Sequence, residues 1–438
     1  MPSNFALIRA PLHDQDFMFA TGCECSYPTI EWEGKTVRRD GFDLSKHYQY
    51  WQEDFRLVRE TGINFLRYGP QYYRANPRRG HYDWDFADEC FNRLRELKIH
   101  PIADLCHFGV PDWLENFQNP EFPEQFANFA AAFARRFPWV MLYTPVNEIF
   151  ICAMFSAHRG MWNERLKSDR AFVTAIKHMC KATILAEEAI LKLQPMALFI
   201  QSESTSYFHQ ASPAAHRQAY LYNQKRFLAL DLIYGHDVSG LAYEYLREHG
   251  MTRDEYHWFL EHGRPLTAYS IMGNDYYGTN EYFVTPGGDA SEQTGEVFGY
   301  YVITHQYYDR YNLPVMHTET NKRDNENEAE KWLKKEWRNV VKLKQDGVPI
   351  LGFTWYSVID QTDWDTALTQ INYRTNPCGL FNKERQPHPV QRTYARIIQQ
   401  WRPNLPLNAM SRNVESRDDL GEPPPAPHPH TASKSARS

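Results

Sequence analysis

Residues 143–150 read YTPVNEIF and residues 314–321 read PVMHTETN. In each, an apolar lead-in runs into a glutamate, Glu148 in the first and Glu319 in the second. Burying a carboxylate without a partner is costly, so two strand-like runs that end this way call for a reason.

Both belong to a longer series. Eight short apolar runs, at 17–24, 63–69, 100–107, 140–148, 197–204, 271–280, 313–321 and 350–358, mostly end in polar or charged residues. Segments of helical period separate them, among them 46–61, 86–98, 123–137, 168–193 and 327–345. This alternation predicts an α/β fold, a single (β/α)8 TIM barrel with loop insertions on its C-terminal face. An open doubly wound sheet would carry a glycine-rich phosphate turn after an early strand, and no GxGxxG or GxxxxGK[ST] occurs. Residues 204–270 and 282–300 read as loop-rich insertions that wall the pocket. The barrel domain is expected over 1–412. The Pro- and Ser-rich stretch 413–438 reads as a disordered tail.

In a barrel the C-terminal ends of the strands share one face, and that face carries the site. Arg67, His107, Asn147, Glu148, Asn280, Glu319 and Trp355 each lie at or near the end of a run, so they are expected to converge.

Composition narrows the function. The chain has 438 residues, with 48 Lys and Arg against 54 Asp and Glu, a net charge of −6. No basic run is long enough to follow a phosphate backbone, which argues against nucleic acid and against anionic membrane surfaces. The opening MPSNFALIRAPLHDQDF has no apolar signal segment and no stretch approaches the length of a membrane span, so a cytoplasmic protein is expected. Seven scattered cysteines without a CxxC pair fit reduced thiols. Aromatic residues make up 15% of the chain, and their faces are what sugar rings stack on, although a large aromatic core would account for them as well. No cofactor is expected, and a homo-oligomer is compatible with these features.

Two carboxylic groups facing each other suit glycoside cleavage, in which one protonates the leaving oxygen and the other meets the oxocarbenium-like carbon. Here the sequence resembles glycoside hydrolase family 1, and more broadly the clan A barrels with glutamates on strands four and seven. YTPVNE is similar to the T-x-N-E acid/base motif and HTETN to the T-E-N-G nucleophile motif. LCHFGVPDWL (105–114), DYYGTNEY (275–282) and GFTWYSVIDQTDWDTAL (352–368) resemble further family segments, in the family's order.

The resemblance implies a retaining β-glycosidase, β-glucosidase-like, acting on an oligosaccharide or glycoside. Glu148 would be acid/base and Glu319 nucleophile, with Arg67 keeping Glu319 ionised and Tyr282 donating a hydrogen bond to it. Asn147 would hold the sugar 2-hydroxyl, His107 and Asn280 would line the sugar site and Trp355 would form its stacking floor. Asp363 and Trp364, in place of a Glu-Trp pair, would meet the outer hydroxyls. The chain also departs from the family: Tyr27 and Pro28 stand near an expected Gln, Phe108 follows the strand-three His, and Lys322 follows Asn321. Three alternatives remain at this point. They are transglycosylation by the same mechanism, a non-catalytic carbohydrate-binding barrel, and a metal-dependent hydrolase using His107, His158, His317, Asp104 and Glu319.

Overall fold

The computed structural model describes residues 17–323 and 325–405; the expected tail at 413–438 lies outside them. Eight parallel strands close into a barrel. They are β1 (Met18–Gly22), β2 (Phe65–Tyr68), β3 (His100–Asp104), β4 (Leu142–Thr144), β5 (Leu198–Ser204), β6 (Ser270–Asp275), β7 (Val315–Glu319) and β8 (Ile350–Tyr356). Closure is made by β1, which pairs with β8 (Gly22 opposite Tyr356) and with β2 (Gly22 opposite Arg67).

Alternation along the strands builds two cores. Met18, Ala20, Phe65, Ile102, Leu142, Ile200, Ile271 and Met316 fill the barrel interior as one cluster. Their neighbours on the opposite strand face pack under the helices, with Phe19 and Phe353 against Trp337. Much of the aromatic content is therefore structural, since Trp162, Trp337 and Trp355 are fully buried.

The helices expected at 46–61, 86–98, 123–137, 168–193 and 327–345 form as α1 (His47–Glu60), α2 (Asp85–Glu96), α3 (Phe122–Arg136), α4 (Asp169–Leu193) and α7 (Glu326–Gln345). Ser168 and Asn325 cap the last two by accepting from the N–H three residues on. The expectation that 204–270 is loop-rich is corrected. That segment holds four helices, ending in α5 (Arg253–Leu266), whose start is fixed by a reciprocal capping box between Thr252 and Glu255. Between β6 and β7 runs α6 (Gly299–Tyr311), and after β8 comes α8 (Pro389–Trp401). On α8, Val390, Tyr394, Ile397, Ile398 and Trp401 form one buried stripe. From that stripe the Tyr394 hydroxyl donates to the carbonyls of Ala20 and Phe353, both at 2.9 Å, fastening β1 to β8. No helix among the described residues is long and apolar enough to cross a membrane.

Two glycines make room at the barrel mouth. A Cβ on Gly22 would fall 2.3 Å from the Tyr356 ring, and one on Gly69 would fall 2.1 Å from the Asp104 carbonyl oxygen. Gly69 thus lets the ends of β2 and β3 approach where their side chains meet. Gly69→Ala is expected to lower the unfolding free energy by about 1–3 kcal/mol through overpacking, read by urea unfolding; an unchanged midpoint would contradict the close approach.

Candidate active site

Arg67 stands at the centre of the mouth. It lies on β2 in phase with Phe65, so its side chain enters the barrel, and it is 1% exposed. One terminal nitrogen donates to Glu319; the other donates to Asp104 at 2.9 Å and to the Asn147 carbonyl oxygen at 2.6 Å. The Asn147 amide then donates to His107 Nε2 at 3.1 Å, and His107 Nδ1 lies 2.8 Å from Asp104. This network places the imidazole proton on Nδ1, where Asp104 accepts it. Although burial opposes ionisation, His107 and Arg67 hold the Asp104 carboxyl below the usual range.

Both glutamates reach the site through irregular backbone. On β7, Met316 points into the barrel and His317 outward, where it stacks on Tyr300 at 3.9 Å. Strict alternation would send Glu319 outward too, but the register against β6 shifts between His317 and Glu319, turning the carboxylate inward. Glu148 follows β4 with φ of 42°, a left-handed conformation uncommon for a residue with a Cβ, and its N–H is held by the Ser202 carbonyl at 3.0 Å.

One carboxylate oxygen from each of Glu148, Asp275 and Glu319 lies within 4.8 Å of those of the other two. Their surroundings differ. Glu319 is gripped by Arg67 and by the Tyr277 hydroxyl, which donates at 2.7 Å. Glu148 has no such cation; burial, then Glu319, Asp275 and Glu203, push its pKa well above that of an ordinary carboxyl. Asp275 accepts from the Ser202 hydroxyl at 2.8 and 2.7 Å, and burial together with Glu319 raises it to about 8.

Arg67, His107, Asn147, Glu148 and Glu319 thus converge as expected, and four other expectations are corrected. The hydrogen bond to Glu319 assigned to Tyr282 is made by Tyr277: β6 ends at Asp275, which leaves Tyr277 two residues past the strand end at the mouth. Tyr282 lies on a separate strand, Glu281–Val284, and stacks on Phe208. Asn280 braces this turn, accepting from the Tyr277 N–H at 3.1 Å and donating to Ser204 at 3.0 Å. Trp355 faces away from the barrel interior, its indole N–H on the Cys378 carbonyl. The neighbouring Tyr356 floors the site, stacked on His107 at 6.4 Å and lying 5.7 Å from Arg67. Asp363 is fully buried, its oxygens taken by Arg39 at 2.6 Å and by the N–H groups of Asn372, Tyr373 and Arg374. It therefore shapes a loop. Trp364 packs on Phe108 and Trp162, its indole N–H without a partner among the described residues.

Sequence reasoning gave no role to Glu24 and Gln361, which pair at 2.6 Å with both side chains buried. The suggested metal set does not assemble, because His317 is outside the barrel and His158 pairs with Asp169 at 3.4 Å. Two groups of donors do lie close together, Cys25–Asp104–His107 and Glu148–Asp275–Glu319, but Arg67 bonds to a carboxylate of each and its charge opposes a cation there.

Glu203, fully buried with one oxygen unpartnered among the described residues, is raised to about 8, chiefly by burial. A carboxyl raised on folding binds its proton in the native state over pH values where the unfolded chain has lost it. Its contribution to stability therefore falls as pH rises from about 4.3, the ordinary value, towards about 8. Glu203→Gln is expected to flatten the decline of unfolding free energy over that window by up to about 1.4 kcal/mol per pH unit. Urea unfolding at stepped pH tests this, and an unaltered slope would contradict the assigned protonation.

A model of glycosyl hydrolase family 1 matches residues 29–228. "Glycosyl hydrolase-like protein 1" of Saponaria officinalis is 32% identical over 160 residues, 30% of this chain and 34% of that protein. The chain thus spans about a third of the length of that relative. "Beta-glucosidase A" of Thermotoga maritima is 21% identical over 362 residues, 73% of this chain and 78% of that one. A solved structure of a β-glucosidase from Thermotoga maritima, in complex with a methoxycarbonyl-substituted glucoimidazole, superposes with a TM-score of 0.75 at 19% identity, covering 88% of this chain and 98% of that one. With the closed barrel and the two glutamates at its mouth, these likenesses make the chain a divergent glycosyl hydrolase family 1-like protein.

Proposed function

We propose that the chain is a retaining β-glycosidase working by double displacement, with Glu319 as nucleophile and Glu148 as acid/base. The observation that carries this reading is a close carboxyl pair in opposite settings. Oxygens of the two groups lie within 4.8 Å, near the separation of about 5–5.5 Å typical of retaining enzymes. Glu319 is paired with a buried guanidinium, and Glu148 is kept protonated by burial and by neighbouring carboxylates.

In the first step a Glu319 oxygen attacks the anomeric carbon while the Glu148 proton passes to the glycosidic oxygen, so the C–O bond breaks and an alcohol leaves. In the second, Glu148, now a carboxylate, takes a proton from water. The hydroxide attacks the same carbon and releases Glu319. Arg67 and Tyr277 orient the nucleophile, Asn147 is positioned for the 2-hydroxyl, and His107 and Tyr356 face the ring. The seven described cysteines, all unpaired and buried, fit a reducing compartment such as the cytoplasm.

A panel of nitrophenyl β-glycosides, assayed with wild type and with Glu319→Ala plus azide, tests the mechanism. The expected result is one sugar cleaved by wild type, lost in the variant and recovered as an α-glycosyl azide. A β-azide, or full activity without Glu319, would overturn the assignment. Tyr277→Phe removes one hydrogen bond to a charged group and is expected to lower kcat about 10–100-fold; an unchanged kcat would contradict its place beside Glu319. Because Glu148 must enter each cycle protonated, activity is expected to fall on the alkaline side as that proton is lost, and a pH–rate profile measures this.

A further inference from the structure

Four arginines are buried among the described residues, Arg39, Arg67, Arg226 and Arg385. Three of them meet a carboxylate: Arg39 pairs with Asp363 at 2.6 Å, Arg67 with Asp104 and Glu319, and Arg385 with Asp54 at 3.0 Å. Arg226, 3% exposed, meets none. It closes the helix His216–Lys225, and its terminal nitrogens donate to two neutral oxygens, the Ser206 carbonyl at 2.8 Å and the Gln306 side-chain carbonyl at 2.6 Å. Its Nε has no partner among the described residues. The rings of Phe227, Tyr207 and Tyr307 lie 4.4, 4.9 and 5.3 Å from the guanidinium, which offsets only part of the cost of burying it. Burial accordingly pushes its pKa below the usual arginine value.

The carboxylates in its surroundings are engaged elsewhere. Asp231 accepts from Arg310 at 2.7 and 2.8 Å and from the Tyr311 hydroxyl at 2.8 Å, while Glu281 is held by His209 at 2.6 Å and by the N–H groups of Phe298 and Gly299 at 2.9 Å each. Arg226 lines a cavity of about 410 Å³ whose walls come from the helix His216–Lys225, the strand Tyr207–Gln210 and α6. Its lining contains no Asp or Glu and none of the residues placed at the barrel mouth. What it offers instead is the guanidinium, the side-chain amides of Gln224 and Gln306 and the rings of Tyr207 and Phe227. A buried cation beside a cavity free of carboxylates is a setting that an anion entering from solvent completes.

We propose that this cavity is an anion-binding site, separate from the barrel mouth, that takes a small oxyanion, a carboxylate or a phosphate, on Arg226. A guanidinium presents its N–H donors in one plane, a fork that matches the oxygens of either group. Gln306 holds that plane in place from α6, and Gln224 stands on the cavity wall as a further donor. The site stands independently of the chemistry assigned to Glu148 and Glu319.

Titration calorimetry of the full chain, in a chloride buffer held at constant ionic strength, tests this with inorganic phosphate, acetate and benzoate as probes. At least one probe is expected to bind with a Kd of about 1 mM or tighter. Binding of phosphate alone assigns a phosphate ligand and binding of acetate or benzoate alone a carboxylate; both results support the site. Gln306→Glu puts a carboxylate where the amide oxygen now accepts from Arg226, and it is expected to weaken the probe at least about tenfold. The same variant is expected to raise the urea midpoint, because the buried charge is then answered from within the chain. Arg226→Met is expected to abolish binding as well; should that variant not fold, Gln306→Glu decides alone. Failure of all three probes to bind the wild type, or equal affinity in wild type and Gln306→Glu, would overturn the proposal.

Discussion

A guanidinium enclosed at the mouth of a barrel must have its charge answered, and Arg67 is answered from two strands and the loop beyond a third. Its hydrogen bonds run to Asp104 at the end of β3, Asn147 beyond β4 and Glu319 at the end of β7. Removing any partner would leave a buried charge short of compensation, which is far more costly than losing a surface ion pair. The surrounding backbone is shaped to this requirement. Gly69 lets β2 approach β3, Gly22 leaves room for the Tyr356 ring near Arg67, and the register shift in β7 brings Glu319 within reach.

The same constraint separates the two glutamates. Arg67 serves Glu319, so the nearby Glu148 is left with carboxylate neighbours and no cation of its own. Placing one cation asymmetrically between two acids gives them unequal settings, Glu319 paired with a guanidinium and Glu148 raised by burial and by its carboxylate neighbours. Asp275 strengthens this division. It is itself raised, held by Ser202, and close to both glutamates, so the mouth holds more carboxyl groups than negative charges.

Much of this was legible in the sequence because strand ends are local signals. Eight apolar runs located eight strands, and a polar residue at the end of a run was enough to bring Arg67, His107, Asn147, Glu148 and Glu319 together. Errors arose where a run was continued too far or its phase was not tracked. The sixth run was carried to residue 280 although β6 stops at Asp275, and the role given to Tyr282 followed the resemblance of DYYGTNEY (275–282) to a family segment, whereas Tyr277 is the residue beside Glu319. Trp355 and Tyr356 are adjacent, and only the phase set by Gly22 opposite Tyr356 tells which ring points inward. The fate of Asp363 could not be read locally, because Arg39 and three backbone N–H groups of a later loop converge on it. The helices within 204–270 were partly legible: Thr252 and Glu255 have the spacing of a capping box.

The proposed division of labour between Glu148 and Glu319 is tested most directly by trapping. An activated 2-deoxy-2-fluoro glycoside of the sugar the protein turns over should form a stable glycosyl ester, because the fluorine slows departure from the nucleophile more than its formation. Intact-mass and peptide mapping are predicted to place a single label on Glu319, with none on Glu148 or Asp275. A label on either of those residues, or turnover that yields the inverted sugar without any trapped ester, would contradict the assignment that Arg67 imposes.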